Sequence, residues 1–328
     1  MKKVLLTGVA GFIGSNLCER LLAIGYIVIG IDNFDSYYDR KIKEGNMRDF
    51  FLHPNFTFIE LDLCGDISVL ESNEFDVVIH LAARAGVQSS IDYINDYISN
   101  NIIGTKNILE VMKKKGCNKI IFSSSSSVYG NSSNAILYED DNSGFPLNPY
   151  GVTKKTCELL LHNYYSNFDF NIVVLRLFSV YGQKQRPDLV MYKFADLICN
   201  DKPIPVYGDR NSKRDYTEIR DIVNAIVLSI NFIENQNKGY EIFNIGNGNP
   251  VSLNELIIGM YRILGKREVC VPFQENNFEM KTTCADISKA QKVLGYNPQI
   301  KFEKGVDDFI KWYKNKEFIE RELDNACM

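Results

Sequence analysis

One tyrosine and one lysine stand out in this sequence as residues that could do proton chemistry together. Tyr150 and Lys154 lie four positions apart at the start of a predicted helix that follows Pro146 and Pro149, so both side chains would lie on one face. A phenol with a pKa of about 10 is a poor base at neutral pH, but a nearby ammonium favours its ionised form. The pair could therefore take a proton from a hydroxyl group. The same spacing is also common on purely structural amphipathic helices, so the surrounding elements must decide.

A run of five serines, residues 123–127, lies upstream of this pair and is followed by Val128, Tyr129 and Gly130. It comes at the end of a predicted fifth strand, and doubly wound sheets form their active sites at the carboxyl ends of strands. A serine hydroxyl at this place could hydrogen bond to a reacting hydroxyl. The alternative is a polar strand end whose serines only solvate the backbone.

A glycine-rich segment directly follows the first predicted strand and opens the first predicted helix. Gly8 permits a tight turn, Gly11 lets backbone N–H groups approach a pyrophosphate, and Gly14 lets the helix pack closely on the strand. Asp32 ends the second predicted strand, where a carboxylate binds the ribose hydroxyls of a dinucleotide and repels a 2′-phosphate. The next two residues offer no cation for such a phosphate. The segment predicts NAD binding rather than NADP binding; glycines that serve packing alone are the alternative.

Short β-branched runs alternate with longer amphipathic segments over the first 180 residues. This alternation predicts an α/β fold with a doubly wound parallel sheet of the Rossmann type. After about residue 180, proline, glycine and charge become frequent, which predicts a smaller C-terminal substrate-binding lobe. The predicted strands are residues 3–7, 26–31, 57–61, 76–80, 119–123 and 171–177, with a last strand around Phe243; the clearest helices are 12–24, 94–115 and 149–168. The predicted domains are 1–180 with 216–250 (dinucleotide), 181–215 with 251–316 (lobe) and 317–328 (tail).

Composition excludes several other classes of protein. The net charge of -4 argues against a nucleic-acid surface. No apolar run approaches the ~18 residues of a membrane span, and no signal peptide precedes the first strand, so the expected location is the cytoplasm without a membrane partner. The eight cysteines form no CxxC pair and the three histidines are dispersed, which predicts free thiols and no metal site.

The glycine spacing GxxGxxG, together with Tyr150 and Lys154, resembles the extended short-chain dehydrogenase/reductase family along nearly the whole chain. The resemblance implies NAD as cofactor and selects Ser125 among the serines by its distance from Val-Tyr-Gly. Tyr150, assisted by Lys154 and Ser125, would then take the proton of a sugar hydroxyl during its oxidation. The implied cofactor contacts, besides Tyr150 and Lys154, are Gly8, Gly11, Phe12, Ile13, Gly14, Asp32, Asn33, Asp62, Leu63, Leu81, Ala82, Ala83, Asn100 and Phe178.

The residue before Val-Tyr-Gly separates the reactions of this family. Its dehydratases and decarboxylases have an acid there for further proton chemistry, whereas this chain has Ser127. The resemblance is therefore to nucleotide-sugar 4-epimerases, which oxidise C4 and return the hydride to the opposite face. It implies that Ser126 and Ser127 touch the sugar of a UDP-sugar, that Arg214 binds the diphosphate, and that Val206 and Tyr207 cradle the uracil. A surface basic dipeptide is the alternative for Arg214.

Four segments, residues 31–39, 85–87, 180–188 and 191–194, look most like the 4-epimerases of UDP-glucuronate. In that group the hydroxyl and the guanidinium at the places of Ser179 and Arg186 hold the C6 carboxylate, and Gly86 and Val87 would line the sugar site. Oxidation of a glucuronate at C4 makes a β-keto acid that is prone to lose CO2. Fixing the carboxylate near the ring plane would suppress that loss.

Two departures weaken this assignment. Gln88 stands where the group usually has an arginine, while Arg84 occurs four residues earlier, and residues 274–283 differ from the usual loop. Either one cation substitutes for the other, or the pocket accepts a neutral sugar such as UDP-glucose or UDP-N-acetylglucosamine. A UDP-glucuronate decarboxylase and a non-catalytic NAD-binding protein are the remaining alternatives.

The predicted helices 94–115 and 149–168 carry apolar residues on more than one face. In relatives such helices pair across a two-fold axis as a four-helix bundle, which implies a homodimer. The alternative is that both faces are covered within the monomer.

Overall fold

The computed structural model describes residues 2–141, 144–208, 210–236, 238–273 and 280–326. Its strands are β1 (Lys3–Thr7), β2 (Ile27–Asp32), β3 (Phe56–Glu60), β4 (Val77–His80), β5 (Lys119–Ser125), β6 (Asn171–Leu177), β7 (Ser179–Tyr181), β8 (Ile204–Tyr207), β9 (Lys213–Arg214), β10 (Tyr216–Glu218), β11 (Tyr240–Ile245), β12 (Val251–Ser252) and β13 (Cys270–Phe273). A seven-stranded parallel sheet, in the order β3-β2-β1-β4-β5-β6-β11, forms the centre. The predicted doubly wound α/β fold is confirmed.

Helices cover both faces of this sheet. They are α1 (Phe12–Ala23), α2 (Arg40–Met47), α3 (Ser89–Asp92), α4 (Ile94–Tyr97), α5 (Gly104–Lys115), α6 (Pro149–Asn167), α7 (Val190–Cys199), α8 (Ile219–Glu234), α9 (Leu253–Leu264), α10 (Ser288–Leu294) and α11 (Phe302–Ala326), with 3₁₀ turns at Ser68–Ser72 and Ser126–Tyr129. The strand order reverses between β1 and β4, and such a reversal opens a crevice at the carboxyl ends of the strands.

The two faces of the sheet belong to two separate hydrophobic cores. Successive residues of a strand point to opposite sides, so Val4 and Leu6 of β1 pack with α1 and α8, whereas Leu5 packs with α5 and α6. Because every strand of the sheet is anchored on both faces, the loops at its carboxyl edge start from fixed positions.

A third core holds the C-terminal lobe together. It joins α7, β8, α9 and α11 through buried residues that include Met191, Ile204, Leu256 and Phe309. The predicted last strand near Phe243 is confirmed, because β11 pairs with β6 at the edge of the central sheet. The exact domain boundaries stay a prediction.

The segment predicted as one helix over residues 94–115 is interrupted. The α4 and α5 helices are joined by π-helical turns at Ile98–Ile103, and the prediction of a single regular helix is wrong there. Such turns re-aim side chains. Here they bury Asn101, whose side chain accepts from Arg84 N at 2.7 Å and donates to Thr153 Oγ1 at 2.9 Å. The irregular turns thus tie the segment after β4 to α6.

Within the described residues no helix is long and apolar enough to cross a membrane. The seven cysteines among these residues are all free thiols. Of the divergent segment 274–283, residues 274–279 lie outside the described residues, as does Cys327.

Candidate active site

A cavity of about 1590 Å³ runs along the carboxyl ends of β1, β2, β4, β5 and β6, between the central sheet and the lobe. It is lined by Gly11 and Ser125 from the sheet side and by Arg214 from the lobe side. The crevice that the strand order predicts is therefore present, and it contains the residues whose chemistry the sequence singled out.

The start of α6 places the tyrosine in this cavity. Asn148 caps the helix by accepting from Gly151 N at 2.9 Å, and Pro149 occupies the first turn. Tyr150 follows at once and lines the cavity together with Ser125, whose side chain acts to lower the pKa of the phenol. One turn later, Lys154 Nζ donates to Ser123 O at 2.7 Å. The structure thus brings together the three predicted catalytic side chains.

Burial shifts the acid–base properties of both ionisable members. It raises the pKa of Tyr150, although the hydrogen bond from Ser125 and the charge of Arg186 oppose this effect. Burial also lowers the pKa of Lys154 to about 8. The ammonium donates to a backbone carbonyl one helical turn after Tyr150. Burial dominates the pKa of Tyr150 in the chain by itself, so the lowering of this pKa by Lys154 together with the charge of a bound oxidised nicotinamide stays a prediction.

The residues at the amino end of α1 fit a dinucleotide. The helix has Gly11 as N-cap, without a side-chain cap and without an acidic residue in the first turn, so its N–H groups and dipole are left for an anion. A Cβ atom at Gly14 would lie 2.0 Å from Gly8 O, so only glycine allows this approach of helix and turn. The predicted cofactor contacts Gly8, Gly11, Phe12, Ile13 and Gly14 all line the cavity.

The remaining predicted cofactor contacts lie along the same cavity wall. Asp32 at the end of β2 accepts from Ala10 N at 3.1 Å and Phe34 N at 2.9 Å, and burial raises its pKa. The cavity is also lined by Asn33, Asp62, Leu63, Leu81, Ala82, Ala83, Asn100 and Phe178. Which of these touch the cofactor stays a prediction.

Lys43 of α2 is a residue near the ribose carboxylate that the sequence reasoning missed. It lines the cavity, is buried, donates to Asp35 O at 2.7 Å, and interacts electrostatically with Asp32. Burial lowers its pKa. The two residues after Asp32 offer no cation for a 2′-phosphate, but the fold places the Lys43 side chain near this carboxylate.

Most of the predicted substrate contacts line the cavity. These are Ser126, Ser127, Ser179, Arg186, Arg214, Gly86 and Val87. Val206 is an exception, because its side chain is buried in the core of the lobe, while its neighbour Pro205 lines the cavity. The predicted contact of Val206 with the uracil stays a prediction. The side chain of Tyr207 lies outside the described residues.

Arg186 is held by residues that the sequence did not single out. Its Nε and one terminal nitrogen each donate to Asp188 at 2.9 Å, and Tyr37 Oη donates to the same carboxylate at 3.2 Å. Tyr37 falls in the segment 31–39 that carries the resemblance, which was the available signal. Tyr37 and Asp188 are 151 positions apart, so no short sequence motif predicts their contact.

Arg84 lines the cavity but is ion-paired within the protein, and its substitution for the arginine usual at Gln88 stays a prediction. Its guanidinium forms an ion pair with Asp96, and its Nε lies 3.8 Å from Asp35. Gln88 itself lines the cavity. The charge of Arg84 is therefore already balanced by the protein.

Comparison with known proteins shows the family of this chain. The family model described as GDP-mannose 4,6 dehydratase matches residues 5–309. The chain belongs to this family of extended short-chain dehydrogenases/reductases. A UDP-glucuronate 4-epimerase of Thermodesulfobacterium geofontis is 39% identical, over 96% of this chain and 97% of that protein.

Solved structures within the same family superpose closely on this chain. The UDP-glucuronic acid 4-epimerase of Bacillus cereus, in complex with UDP-glucuronic acid and NAD, has a TM-score of 0.90 and 37% identity, over 96% of this chain and 99% of that one. A UDP-glucose 4-epimerase of Thermotoga maritima with UDP-glucose has a TM-score of 0.86 and 29% identity, over 96% and 99%.

Proposed function

We propose that this chain is an NAD-dependent UDP-sugar 4-epimerase that interconverts UDP-glucuronate and UDP-galacturonate. The observation that carries the reaction type is Ser127. It lines the same cavity as Ser125 and Tyr150, and residues 123–130 include no Asp or Glu. A dehydratase needs an acid there to continue proton chemistry on the keto sugar. Without it, the reaction ends with return of the hydride.

The catalytic work of the chain is proton transfer and positioning. NAD, when bound, accepts the hydride of C4 and returns it to the other face of the 4-keto sugar. Tyr150 takes the C4 hydroxyl proton as phenolate and gives it back, while Ser125 donates to the phenolate oxygen and steadies the reacting hydroxyl. The charge of Lys154, one turn away in a buried site, favours the phenolate. Anchoring by Arg214 at the diphosphate would let the sugar turn without leaving.

The preference for a uronate rests on a cation and a hydroxyl in the cavity. Arg186 and Ser179 both line it, and Arg186 uses only two of its three nitrogens on Asp188. The third nitrogen and the serine hydroxyl are donors of the kind that a carboxylate accepts. The similarity to UDP-glucuronate 4-epimerases supports the same substrate.

The test is to supply UDP-glucuronate and UDP-glucose separately to the purified chain and to follow the anomeric signals by NMR. We expect interconversion of the glucuronate without external NAD or net redox change. The Tyr150→Phe variant should lose at least about 100-fold in kcat, since it lacks the proton acceptor, whereas exposed Tyr138→Phe should keep it. Turnover of UDP-glucose alone would refute the uronate assignment.

A neutral UDP-sugar is the second candidate substrate. Gln88 lines the cavity where an arginine is usual, and Arg84 is already paired with Asp96, so the site has fewer cations to spare for a carboxylate than the resemblance implies. UDP-glucose and UDP-N-acetylglucosamine belong in the same assay. A decarboxylase would be recognised by mass spectrometry through loss of CO2.

We also propose that the chain is a homodimer built through α4 and α6. An apolar groove between them is lined by Ile94, Ile98, Pro146 and Val152, and the first two and Val152 are exposed in the single chain. Pairing across a two-fold axis would cover these side chains with the same side chains of a second copy. The enzyme would work in the cytoplasm and supply activated sugars for polysaccharide synthesis.

A further inference from the structure

Arg186 is fixed by a two-pronged contact with Asp188. Arg186 Nε lies 2.9 Å from Asp188 Oδ1, and Arg186 Nη2 lies 2.9 Å from Asp188 Oδ2. Such a fork restricts the guanidinium to one plane. Nη1 is the nitrogen outside the fork. Although burial alone would raise the pKa of Asp188, the charge of Arg186 and its hydrogen bonds bring this pKa below its ordinary value, so the carboxylate stays ionised.

Tyr37 closes this arrangement from the opposite wall of the cavity. Its hydroxyl donates to Asp188 Oδ2 at 3.2 Å, and its ring lies under the Arg186 guanidinium, 5.4 Å from the ring centre to Cζ. The guanidinium is therefore held by the carboxylate at its edge and by an aromatic ring at its face.

Tyr37 belongs to a chain of three neighbouring hydroxyl groups. Tyr37 Oη lies 3.0 Å from Ser89 Oγ, which lies 2.7 Å from Tyr97 Oη, and Tyr97 donates to Gly86 O at 2.8 Å. Because Tyr37 uses its own proton on Asp188, the single Ser89 proton bonds to one of the two phenol oxygens at a time. The ring of Tyr97 meets that of Tyr150 edge-on, with 6.3 Å between centres. The chain connects the arginine to the surroundings of the catalytic tyrosine.

The backbone at Gly86 leaves room for the Tyr37 hydroxyl. Gly86 has a φ of +116°, and a Cβ atom there would lie 2.2 Å from Tyr37 Oη. Any other residue at position 86 would push this hydroxyl away from Asp188. The glycine, the tyrosine and the carboxylate therefore form one unit, which we call the arginine clamp (Gly86, Tyr37 and Asp188).

We infer that the arginine clamp positions Arg186 so that the oxidised uronate keeps its carboxylate, which makes Tyr37 and Asp188 determinants of epimerisation over decarboxylation. This inference rests on the proposed function. A guanidinium fixed in one plane fixes the carboxylate that it binds, whereas a mobile one lets the C5–C6 bond rotate into line with the C4 carbonyl π system.

The competing step has a defined outcome. When the C5–C6 bond breaks, CO2 leaves and the electron pair passes into the C4 carbonyl as an enolate, which takes a proton from water at C5. Return of the hydride gained in the oxidation then gives a UDP-pentose in place of UDP-galacturonate, so each decarboxylation yields one CO2 and one pentose. The pentose share of the products therefore reports how firmly the carboxylate is held.

The experiment compares Asp188→Asn and Tyr37→Phe with the wild-type chain, using UDP-glucuronate labelled with ¹³C at C6. The exposed Asp169→Asn and Tyr138→Phe variants are matched controls. UDP-pentose and ¹³CO2 are measured as a share of total product, a ratio that does not depend on how much of the variant is folded. Thermal melting checks the fold separately.

We expect the pentose share to rise at least tenfold in Asp188→Asn, less in Tyr37→Phe, and not at all in the controls. Since Tyr150, Lys154 and Ser125 are untouched, both clamp variants should still oxidise C4. An unchanged pentose share in both variants, or loss of all turnover without pentose, would overturn the inference. A wild-type chain that leaves UDP-glucuronate unchanged would refute the proposed function instead.

Discussion

Burial sets the pH range over which Lys154 carries the charge that supports catalysis. Lys154 is buried beside β5, donates to the Ser123 carbonyl, and has a pKa lowered to about 8 by burial. A lysine supports the phenolate of Tyr150 only while it carries its charge. The positive form is present below about pH 8 and is lost as the pH rises through that value.

We therefore expect kcat to fall on the alkaline side with an apparent pKa near 8. In Lys154→Arg the cation persists, because a guanidinium stays protonated in proteins, so the alkaline decline should disappear even though the larger head group lowers kcat. The measurement is kcat against pH for both proteins under saturating UDP-sugar. An identical alkaline decline in the variant would mean that another group titrates.

A second prediction at this scale concerns the choice of dinucleotide. Asp32 both repels a 2′-phosphate and interacts with the buried Lys43. Replacing Asp32 with Asn should weaken NAD binding and strengthen NADP binding, since the lysine charge becomes available to the phosphate. Equilibrium dissociation constants for both cofactors provide the readout. The double variant with Lys43→Met is the control, and an NADP gain that survives in it would exclude Lys43 as the cause.

Functional residues were predictable from the sequence where they lie a few positions apart in one motif. The i,i+4 spacing of Tyr150 and Lys154 and the glycine turn need only one helix and one turn to be correct. Tyr37 and Asp188 were missed because they come from loops 151 positions apart, which only the folded sheet brings together. Lys43 was missed for a different reason, since its partners Asp32 and Asp35 precede it on the same segment but no motif marks its position.

At the scale of elements, the loop between β7 and α7 depends on the dinucleotide-binding helix. Asn16 of α1 donates to Gln183 O at 3.1 Å and accepts from Gln183 Nε2 at 3.0 Å. Lys184 Nζ donates to Asn46 O at 2.8 Å and pairs with Glu19. The loop that carries Arg186 is thereby fastened to the element that binds the pyrophosphate.

Lys184→Met should release this loop and raise the KM for the UDP-sugar about tenfold. It should also cost roughly 1–3 kcal/mol of stability, since a buried carbonyl loses its donor. Lys266→Met is a matched control, because Lys266 likewise binds a carbonyl, Cys199 O at 2.9 Å, and a carboxylate, Asp201 at 2.7 Å. Chemical unfolding and steady-state kinetics separate the two effects. Equal KM values in both variants would show that the loop needs no anchor.

Helices and strands were predictable from the sequence where burial imposes a regular spacing of apolar residues. The strands of the central sheet are apolar on both faces, so their runs were visible in the sequence, and α6 begins where Pro149 predicts it. The π-helical turns at Ile98–Ile103 were not visible, because the side chain that they re-aim, Asn101, bonds to the distant Arg84 and Thr153. Tertiary hydrogen bonds there override the local helix pattern.

At the scale of the whole molecule, the apolar residues left outside the three cores bear on assembly. Leu159 of α6 is 65% exposed and Ile98 is 41% exposed, although both belong to helices that otherwise pack tightly on the sheet. Val152 and Leu159 lie seven residues apart and so share one face of α6, and Ile98 lines the groove with Ile94 and Val152. Several exposed apolar side chains on neighbouring helices are typical of an interaction surface, and a second copy of the chain would complement it.

The double variant Ile98→Arg and Leu159→Arg should therefore be monomeric. Two buried guanidinium groups facing their symmetry mates would repel one another, and each would lose its hydration. Size-exclusion chromatography with light scattering should give twice 37.5 kDa for the wild type and 37.5 kDa for the variant. Leu52→Arg, at a side chain that is 92% exposed beside β3, is the control and should leave the mass unchanged. A wild-type chain that measures 37.5 kDa at micromolar concentration would refute the homodimer.

Since α6 carries both Tyr150 and a proposed interface residue, the dimer should also stiffen the catalytic helix. The monomeric variant should therefore melt at a lower temperature than the wild type.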